Sequence, residues 1–170
     1  IRRQRQMCIR DSTSYDPLMT TYNVRVSRSD AAEGPFTDYF GKAEKDTTNN
    51  FPILTAPYRF ENHPGWAGTA HCGVFTDGQG NYFMAHQGRL SPQNQLMVLH
   101  VRQLFFTPDG WPVVSPERYA GTPPREFTEA DLVGEWEIIR VQEPKYERQL
   151  EAGQILSLIH ISEPTRRVVI

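Results

Sequence analysis

Short apolar runs separated by glycine and aspartate turns are the feature that most limits how this chain can fold. Residues 21–29, TYNVRVSRS, alternate apolar and polar side chains with the period of a half-buried strand. Residues 73–88 predict a hairpin around an Asp-Gly-Gln-Gly turn, and residues 96–106 predict a long apolar strand. No convincing helix precedes residue 126. Strands at roughly ten-residue spacing indicate an all-β sandwich, barrel or propeller.

The middle of the chain has the strand content of one propeller blade. Residues 66–114 hold about four strand-like runs, ending after a TPDG turn with a strand that begins near Pro112. TPPRE, residues 122–126, resembles a seam between two domains, and residues 135–141 predict a new strand beyond it. Periodicity alone does not choose among the all-β architectures.

The two ends of the chain differ from its middle. MCIRDS, residues 7–12, and LSLIHI, residues 156–161, can be encoded by one DNA element read in opposite directions. That element resembles the transposon end of sequencing-library adapters, and the neighbouring RRQRQ and SEPTR fit the adapter arms. We therefore expect residues 1–12 and 156–170 to be translated adapter, which does not inform the fold. Residues 13–155 are then expected to be a fragment of a longer protein.

The charge of the chain changes once these flanks are set aside. They carry six of the 18 Lys and Arg and two of the 20 Asp and Glu, so the remainder has 12 basic and 18 acidic residues. An acidic chain with no basic stripe argues against a nucleic acid or an anionic membrane as partner. Cys72 is then the only cysteine, which excludes an internal disulfide or a thiolate metal cluster. The sequence contains no run of about 18 apolar residues, so it predicts no membrane-spanning helix.

Four histidines remain, and one of them stands in a distinctive setting. His71 lies in GWAGTAHCGVF, where a glycine-rich loop delivers it to the start of a strand, as is typical of ligand sites. His100 falls within an apolar strand and His86 ends a strand, so both are interpreted as structural. The fourth histidine is His63, and no two of the four have the spacing of a metal-binding motif on one helix or strand.

Carboxylates and tryptophans supply the other candidates. Glu33 and Asp38 in AAEGPFTDYFG could serve as the acid and base of sugar hydrolysis only if a tight turn brought them to opposite faces of a sugar. Acidic residues beside Gly-Pro are more often turn residues in solvent. Trp66, in the loop before the glycine-rich segment, is the better candidate for stacking on a sugar, whereas Trp111 is interpreted as core packing.

Several motifs in order then suggest a family. HPGWAGTAHCGVFTDGQGNYFMAHQGR (63–89) followed by LHVRQLFFTPDGWPVVSPERYAG (99–121) resembles glycoside hydrolase family 43, in its arabinanase-like branch. TYNVRVSRSDAAEGPFTDYFG (21–41) is similar to the penultimate blade of that family, and DLVGEWEIIRV (131–141) to the start of the small β-domain that follows the propeller. The resemblance implies the last two blades of a five-bladed β-propeller at 13–122 and the start of a C-terminal β-domain at 123–155.

The resemblance also implies an activity. It points to inverting hydrolysis of α-1,5-linked arabinofuranosyl chains by an Asp base, a Glu acid and a second Asp. Glu33 matches a later Gly-Pro-Phe motif of the family in which that position is variable, so it is rejected as the acid. The three catalytic carboxylates are expected upstream of residue 13, and the fragment is expected to be inactive.

The same resemblance assigns the site residues that this chain does carry. His71 matches a histidine that reaches the propeller axis and helps to hold a metal, usually calcium, with waters filling most of its shell. Arg89 matches an arginine that could contact substrate or the base, and Trp66 is the further substrate-binding candidate. The expected partner is arabinan or an arabinoxylan-type polysaccharide, for a monomeric extracellular or periplasmic protein.

Two alternatives stay open at the level of the sequence. One is another specificity of the same family, such as a xylosidase or an arabinofuranosidase, because the early blades that set specificity are expected to be missing. The other is a carbohydrate-binding propeller that has lost its carboxylates. An upstream sequence with two aspartates and a Glu-Gly-Pro strand would separate the enzyme from the binding protein.

Overall fold

The computed structural model describes residues 9–46, 50–93, 95–122, 125, 126, 128, 131, 133–141, 150, 151, 153–157 and 166–169. Their regular structure is almost entirely strand, with one 3-10 turn at Glu44–Asp46, so the predicted all-β class is confirmed. The strands are β1 (Ile9–Tyr15), β2 (Asn23–Ser29), β3 (Ile53–Thr55), β4 (Tyr58–Arg59), β5 (Trp66–Ala67), β6 (Gly73–Thr76), β7 (Tyr82–Leu90), β8 (Met97–Phe106), β9 (Pro112–Val114), β10 (Glu135–Ile139), β11 (Leu150–Glu151), β12 (Gly153–Ser157) and β13 (Arg166–Val169). Within this part of the chain, no helix is long and apolar enough to cross a membrane.

These strands form three sheets. The first has the order β1-β2-β3, and the second has the order β11-β4-β5-β7-β8-β9 with β6 also paired to β7. The third is β12-β10-β13. Strands β6 to β9 make an antiparallel meander, which is the four-stranded blade that residues 66–114 predicted.

Strand β2 corrects the expectation of a half-buried strand, because it is buried on both faces. Val24 and Val26 belong to the core that joins the first two sheets. On the opposite face, Arg25 donates its Nε–H to Asn23 Oδ1 at 3.0 Å and lies 4.7 Å from the ring centre of Tyr15. The polar side of the alternating pattern is therefore closed by β1 rather than by water, which the two-residue period does not reveal.

Strand β10 packs against the β4 and β5 part of the second sheet. Ile139 is fully buried in a cluster with Tyr58, Phe60 and Trp66, which lie on and next to β4 and β5. Buried Glu137 accepts a hydrogen bond from the backbone N–H of Glu61 at 3.0 Å. Part of the seam expected at 122–126 lies outside the described residues, so the boundary at residue 122 stays a prediction.

The expected adapter boundary falls inside a strand. β1 pairs with β2 in one register from Ile9 opposite Ser29 to Tyr15 opposite Asn23. Strands β12 and β13 likewise include residues of the C-terminal flank. Strand pairing depends on the polypeptide and not on the origin of its gene, so the assignment of the flanks as adapter stays a prediction.

Candidate functional site

The loop that carries His71 lies between two strands that both pair with the same side of β7. Strands β5 and β6 lie end to end along the same edge of β7, and residues 68–72 connect them. Gly68 has φ of 61°, and a Cβ there would lie 2.6 Å from the carbonyl oxygen of Leu18, so only glycine fits. His71 itself has φ of 59°, an uncommon conformation for a residue with a side chain, and its N–H donates to Ser14 Oγ at 3.1 Å.

This loop and three strands line a groove of about 540 Å³. His71 is exposed beside it, as the sequence predicted for a side chain presented by a loop. The lining residues come from the loop, β6, β7 and β8: His71, Cys72, Gly73, Ala85, His86, Gln87, Met97, Val98 and Leu99. The structure therefore brings His71 and His86 to one groove, although they lie in different parts of the blade.

His86 is a buried, neutral and oriented imidazole. It lies in the middle of β7 and not at a strand end, which corrects that detail of the prediction, and it is 2% exposed. Arg102 Nε donates to His86 Nε2 at 2.9 Å, so the ring proton is on Nδ1, which donates to the Gln87 carbonyl at 2.6 Å. Burial, together with the charge of Arg102, lowers the pKa of His86 to about 3.

Arg102 is the residue that the sequence reasoning missed. It is buried on β8 and donates to the carbonyls of Ser115 and Pro116 at 3.1 and 2.7 Å. It also donates to the Tyr58 hydroxyl at 3.2 Å, and burial raises the pKa of that phenol. The available signal was a lone arginine in the apolar run LHVRQLFF, which a buried strand tolerates only when its donors are satisfied.

Trp66 and His100 pack together in the interior. Trp66 is 5% exposed, and its ring centre lies 4.3 Å from that of His100 in an edge-on arrangement. The guanidinium of Arg118 lies 4.9 Å from the indole centre. Trp66 is therefore buried against protein groups, so in this structure it is not an open stacking surface, and contact of Trp66 with a sugar stays a prediction. His100 is fully buried, in agreement with the structural interpretation.

Arg89 lies beneath the His71 loop. It is 6% exposed, and its Nη1 donates to the carbonyl of Gln95 at 3.1 Å. A Cβ on Gly68 would approach Arg89 Cδ to 3.1 Å, so the arginine side chain packs directly under the loop. This position is compatible with a role at the site, and contact of Arg89 with substrate stays a prediction.

The acidic pair Glu33 and Asp38 does not form a dyad of two accessible carboxylates. Glu33 is exposed, whereas Asp38 is buried and accepts hydrogen bonds from the backbone N–H groups of Phe40, Lys42 and Phe51 at 2.9, 2.8 and 3.2 Å. A carboxylate with three backbone donors stabilises a turn. The rejection of Glu33 as the catalytic acid rests on the family motif and stays a prediction.

The metal expectation rests on one imidazole. Within the described residues, no group of three or more His, Cys, Asp and Glu side chains is arranged to hold a metal ion. The exposed ring of His71 can supply one nitrogen ligand, and Ca²⁺ prefers six to eight oxygens. One exposed imidazole is compatible with a shell filled mostly by waters, and the calcium site with His71 as one ligand stays a prediction.

Comparisons with known proteins agree with the motifs. No protein-family model matches the chain. It is 29% identical to the extracellular endo-α-(1→5)-L-arabinanase 2 of Bacillus subtilis, over 75% of this chain and 31% of the relative. It is also 29% identical to the extracellular endo-α-(1→5)-L-arabinanase of Thermotoga petrophila, over 69% of this chain and 28% of the relative. The chain thus spans less than a third of the length of these curated relatives.

Solved structures show the same fold. The glycoside hydrolase family 43 YxiA protein of Bacillus licheniformis superposes with a TM-score of 0.76 at 24% identity, covering 88% of this chain and 39% of that one. The endo-1,5-α-L-arabinanase of Thermotoga petrophila also gives 0.76 at 24% identity, covering 85% of this chain and 35% of that one. The chain is thus arabinanase-like in sequence and in fold, and its predicted resemblance to glycoside hydrolase family 43 is confirmed.

Proposed function

We propose that this chain is part of an inverting glycoside hydrolase that cleaves α-1,5-linked arabinan or a related arabinose-containing plant polysaccharide. The observation that carries the proposal is the match to two endo-arabinanases over more than two thirds of the chain, combined with a TM-score of 0.76 to structures of that fold. The relatives are named extracellular enzymes, which supports secretion of the complete protein to the extracellular space or periplasm.

The chemistry of the proposed reaction needs a pair of carboxyl groups that Glu33 and Asp38, among the residues that the structure describes, do not provide. Inversion requires a protonated acid and a base separated widely enough to admit a water. The buried Asp38 and the exposed Glu33 do not provide such a pair among the described residues. We therefore place the Asp base, the Glu acid and the second Asp in the polypeptide that precedes residue 13, and we expect the present fragment to be inactive.

The proposed role of this chain is to complete the site. His71 would supply one ligand to a calcium ion whose positive charge would bias the protonation of nearby carboxylates. Arg89, packed beneath the same loop, would support the site or contact substrate. The groove beside His71 is then the part of the substrate channel that this blade contributes.

The complete gene product, assayed on linear arabinan, tests the proposal. Release of arabino-oligosaccharides is expected, and xylan and arabinoxylan serve as comparison substrates for the alternative specificities. Binding of arabinan without any hydrolysis would favour the carbohydrate-binding alternative. Activity on xylan alone would replace the proposed substrate with that of a xylosidase.

A further inference from the structure

We infer that Arg102 is a positioning residue for the His71 loop, acting through His86 and the backbone of Gln87. This inference rests on the proposed metal role of His71. Arg102 is buried on β8 and is not one of the residues that line the groove. It reaches the groove only through its bond to His86 and touches none of the proposed reacting groups.

The first step is the way in which Arg102 is held. Its side chain donates to His86, to the Tyr58 hydroxyl and to two carbonyls after β9, so all of its bonds go to neutral acceptors. Within the described part of the chain it makes no ion pair. The Tyr58 hydroxyl in turn donates to Glu117 Oε1 at 2.9 Å. A buried guanidinium satisfied in this way serves as a rigid hydrogen-bond template, because its planar fork fixes several segments at once.

The second step is the transfer of this order to the loop. Arg102 fixes the tautomer of His86, and the Nδ1–H of His86 holds the carbonyl of Gln87 at 2.6 Å. The N–H of Gln87 donates to the carbonyl of Ala70 at 3.1 Å. Ala70 is fully buried and directly precedes His71. Hydrogen bonds on either side of the Gln87 backbone therefore connect Arg102 to Ala70, the residue directly before His71.

The third step is that metal affinity depends on the groups that hold the His71 loop in its conformation. His71 adopts a left-handed backbone conformation that persists only when its surroundings enforce it. Hydrogen-bonded partners that orient a ligating residue typically contribute 10–100-fold to metal affinity. Loss of the Arg102 template should therefore weaken metal binding even though Arg102 is not a ligand.

The experiment uses the complete gene product and its Arg102→Met, Arg102→Lys and Arg118→Met variants. Arg118→Met is the matched control, because it also removes a guanidinium, here the one beside the Trp66 ring. It leaves the hydrogen bond between Arg102 and His86 intact. Calorimetric titration with Ca²⁺ after chelation measures affinity, and ¹⁵N spectra of the histidines measure the tautomer of His86.

Arg102→Met should lower Ca²⁺ affinity by about 10–100-fold and change the tautomer pattern of His86. Arg102→Lys, which keeps the charge without the planar fork, should lie between the parent and Arg102→Met. Arg118→Met should match the parent. Unchanged affinity in a folded Arg102→Met protein, or an equal loss in Arg118→Met, overturns the inference. If Arg102→Met does not fold, the Ca²⁺ affinity and the His86 tautomer of Arg102→Lys decide whether the inference holds.

The two proposals fail separately. A parent protein whose Ca²⁺ affinity is unaffected by His71→Ala contradicts the metal role. In that case, the spectra still decide the positioning role. A native His86 tautomer and unshifted Ala70 and His71 amide signals in Arg102→Met overturn it, whereas changes at these nuclei support it.

Discussion

At the scale of single residues, Gly88 shows how tightly the blade interior is packed. A Cβ at this position would lie 2.5 Å from His100 Nε2 and 2.8 Å from two ring carbons on the neighbouring strand. Gly88→Ala should therefore destabilise the complete protein by about 1–3 kcal/mol, because His100 must leave its position. Urea unfolding measures this change. Gly73→Ala is the control, since nothing lies within 4 Å of a Cβ there, and an equal loss in both variants would refute the steric explanation.

The residue scale is also where sequence reasoning reached its limit. His71 on a glycine-rich loop and Trp111 in the core could be predicted, because neighbouring residues in the sequence determine both settings. The template role of Arg102 could not, because its partner Tyr58 is 44 residues away and meets it only after the sheet has formed. The burial of Trp66 could not be predicted for a related reason: β10, from a distant part of the chain, covers its cluster.

At the scale of strands, the pairing of β7 with β8 places His86 directly opposite His100, and both rings are buried. Burial and nearby arginine charges lower the pKa of each imidazole to about 3, whereas an unfolded histidine titrates near 6.5. The unfolded state binds more protons between these values, so stability is present above about pH 6.5 and falls as the pH falls toward 3. His86 alone contributes a slope of up to about 1.4 kcal/mol per pH unit.

Denaturant unfolding of the complete protein at several pH values checks this dependence. His100→Gln removes one titrating ring, so its stability should fall less steeply with acid than that of the parent, whatever its stability at neutral pH. Identical slopes between pH 6.5 and pH 5 would show that His100 does not contribute.

The docking of β10 gives a second prediction for the elements. Ile139 is fully buried against Tyr58, Phe60 and Trp66, so Ile139→Ala should cost about 2–5 kcal/mol through lost burial and a residual cavity. Ile138, its neighbour on the same strand, is only partly buried and serves as the control. Thermal unfolding that shows equal losses for the two alanine variants would argue against docking through Ile139.

The strands were more predictable than their burial. The hairpin of β6 and β7 and the long β8 follow from local turn chemistry and apolar runs, and both are present. The burial of both faces of β2 depends on which other elements cover it, and a local period cannot report this.

At the scale of the whole molecule, apolar side chains on and beside β6 and β8 are left uncovered. All four residues of β6 are exposed, and so are residues 96–99, where Leu96, directly before β8, is 81% exposed and Leu99, within β8, is 71% exposed. An apolar surface of this kind with open strand edges promotes aggregation. Residues 13–155 produced alone should therefore aggregate, whereas the complete gene product should be monomeric in size-exclusion chromatography.

Charged substitutions test that explanation. Leu96→Lys with Leu99→Lys should raise the soluble fraction of the 13–155 polypeptide more than lysine at Leu18, which is 47% exposed. Soluble, monomeric and cooperatively unfolding wild-type 13–155 would contradict the prediction.

The break between β5 and β6 along one side of β7 affects how such proteins can diversify. Strand β7 is paired with β8 along eight consecutive residues, so its register is independent of the segment that joins β5 to β6. The exposed position at His71 can therefore accept substitutions that alter the chemistry of the loop while the supporting strands keep their alignment, whereas Gly68 and the buried Ala70 cannot. The blade separates the part of the sequence that evolution can vary from the part that it must retain.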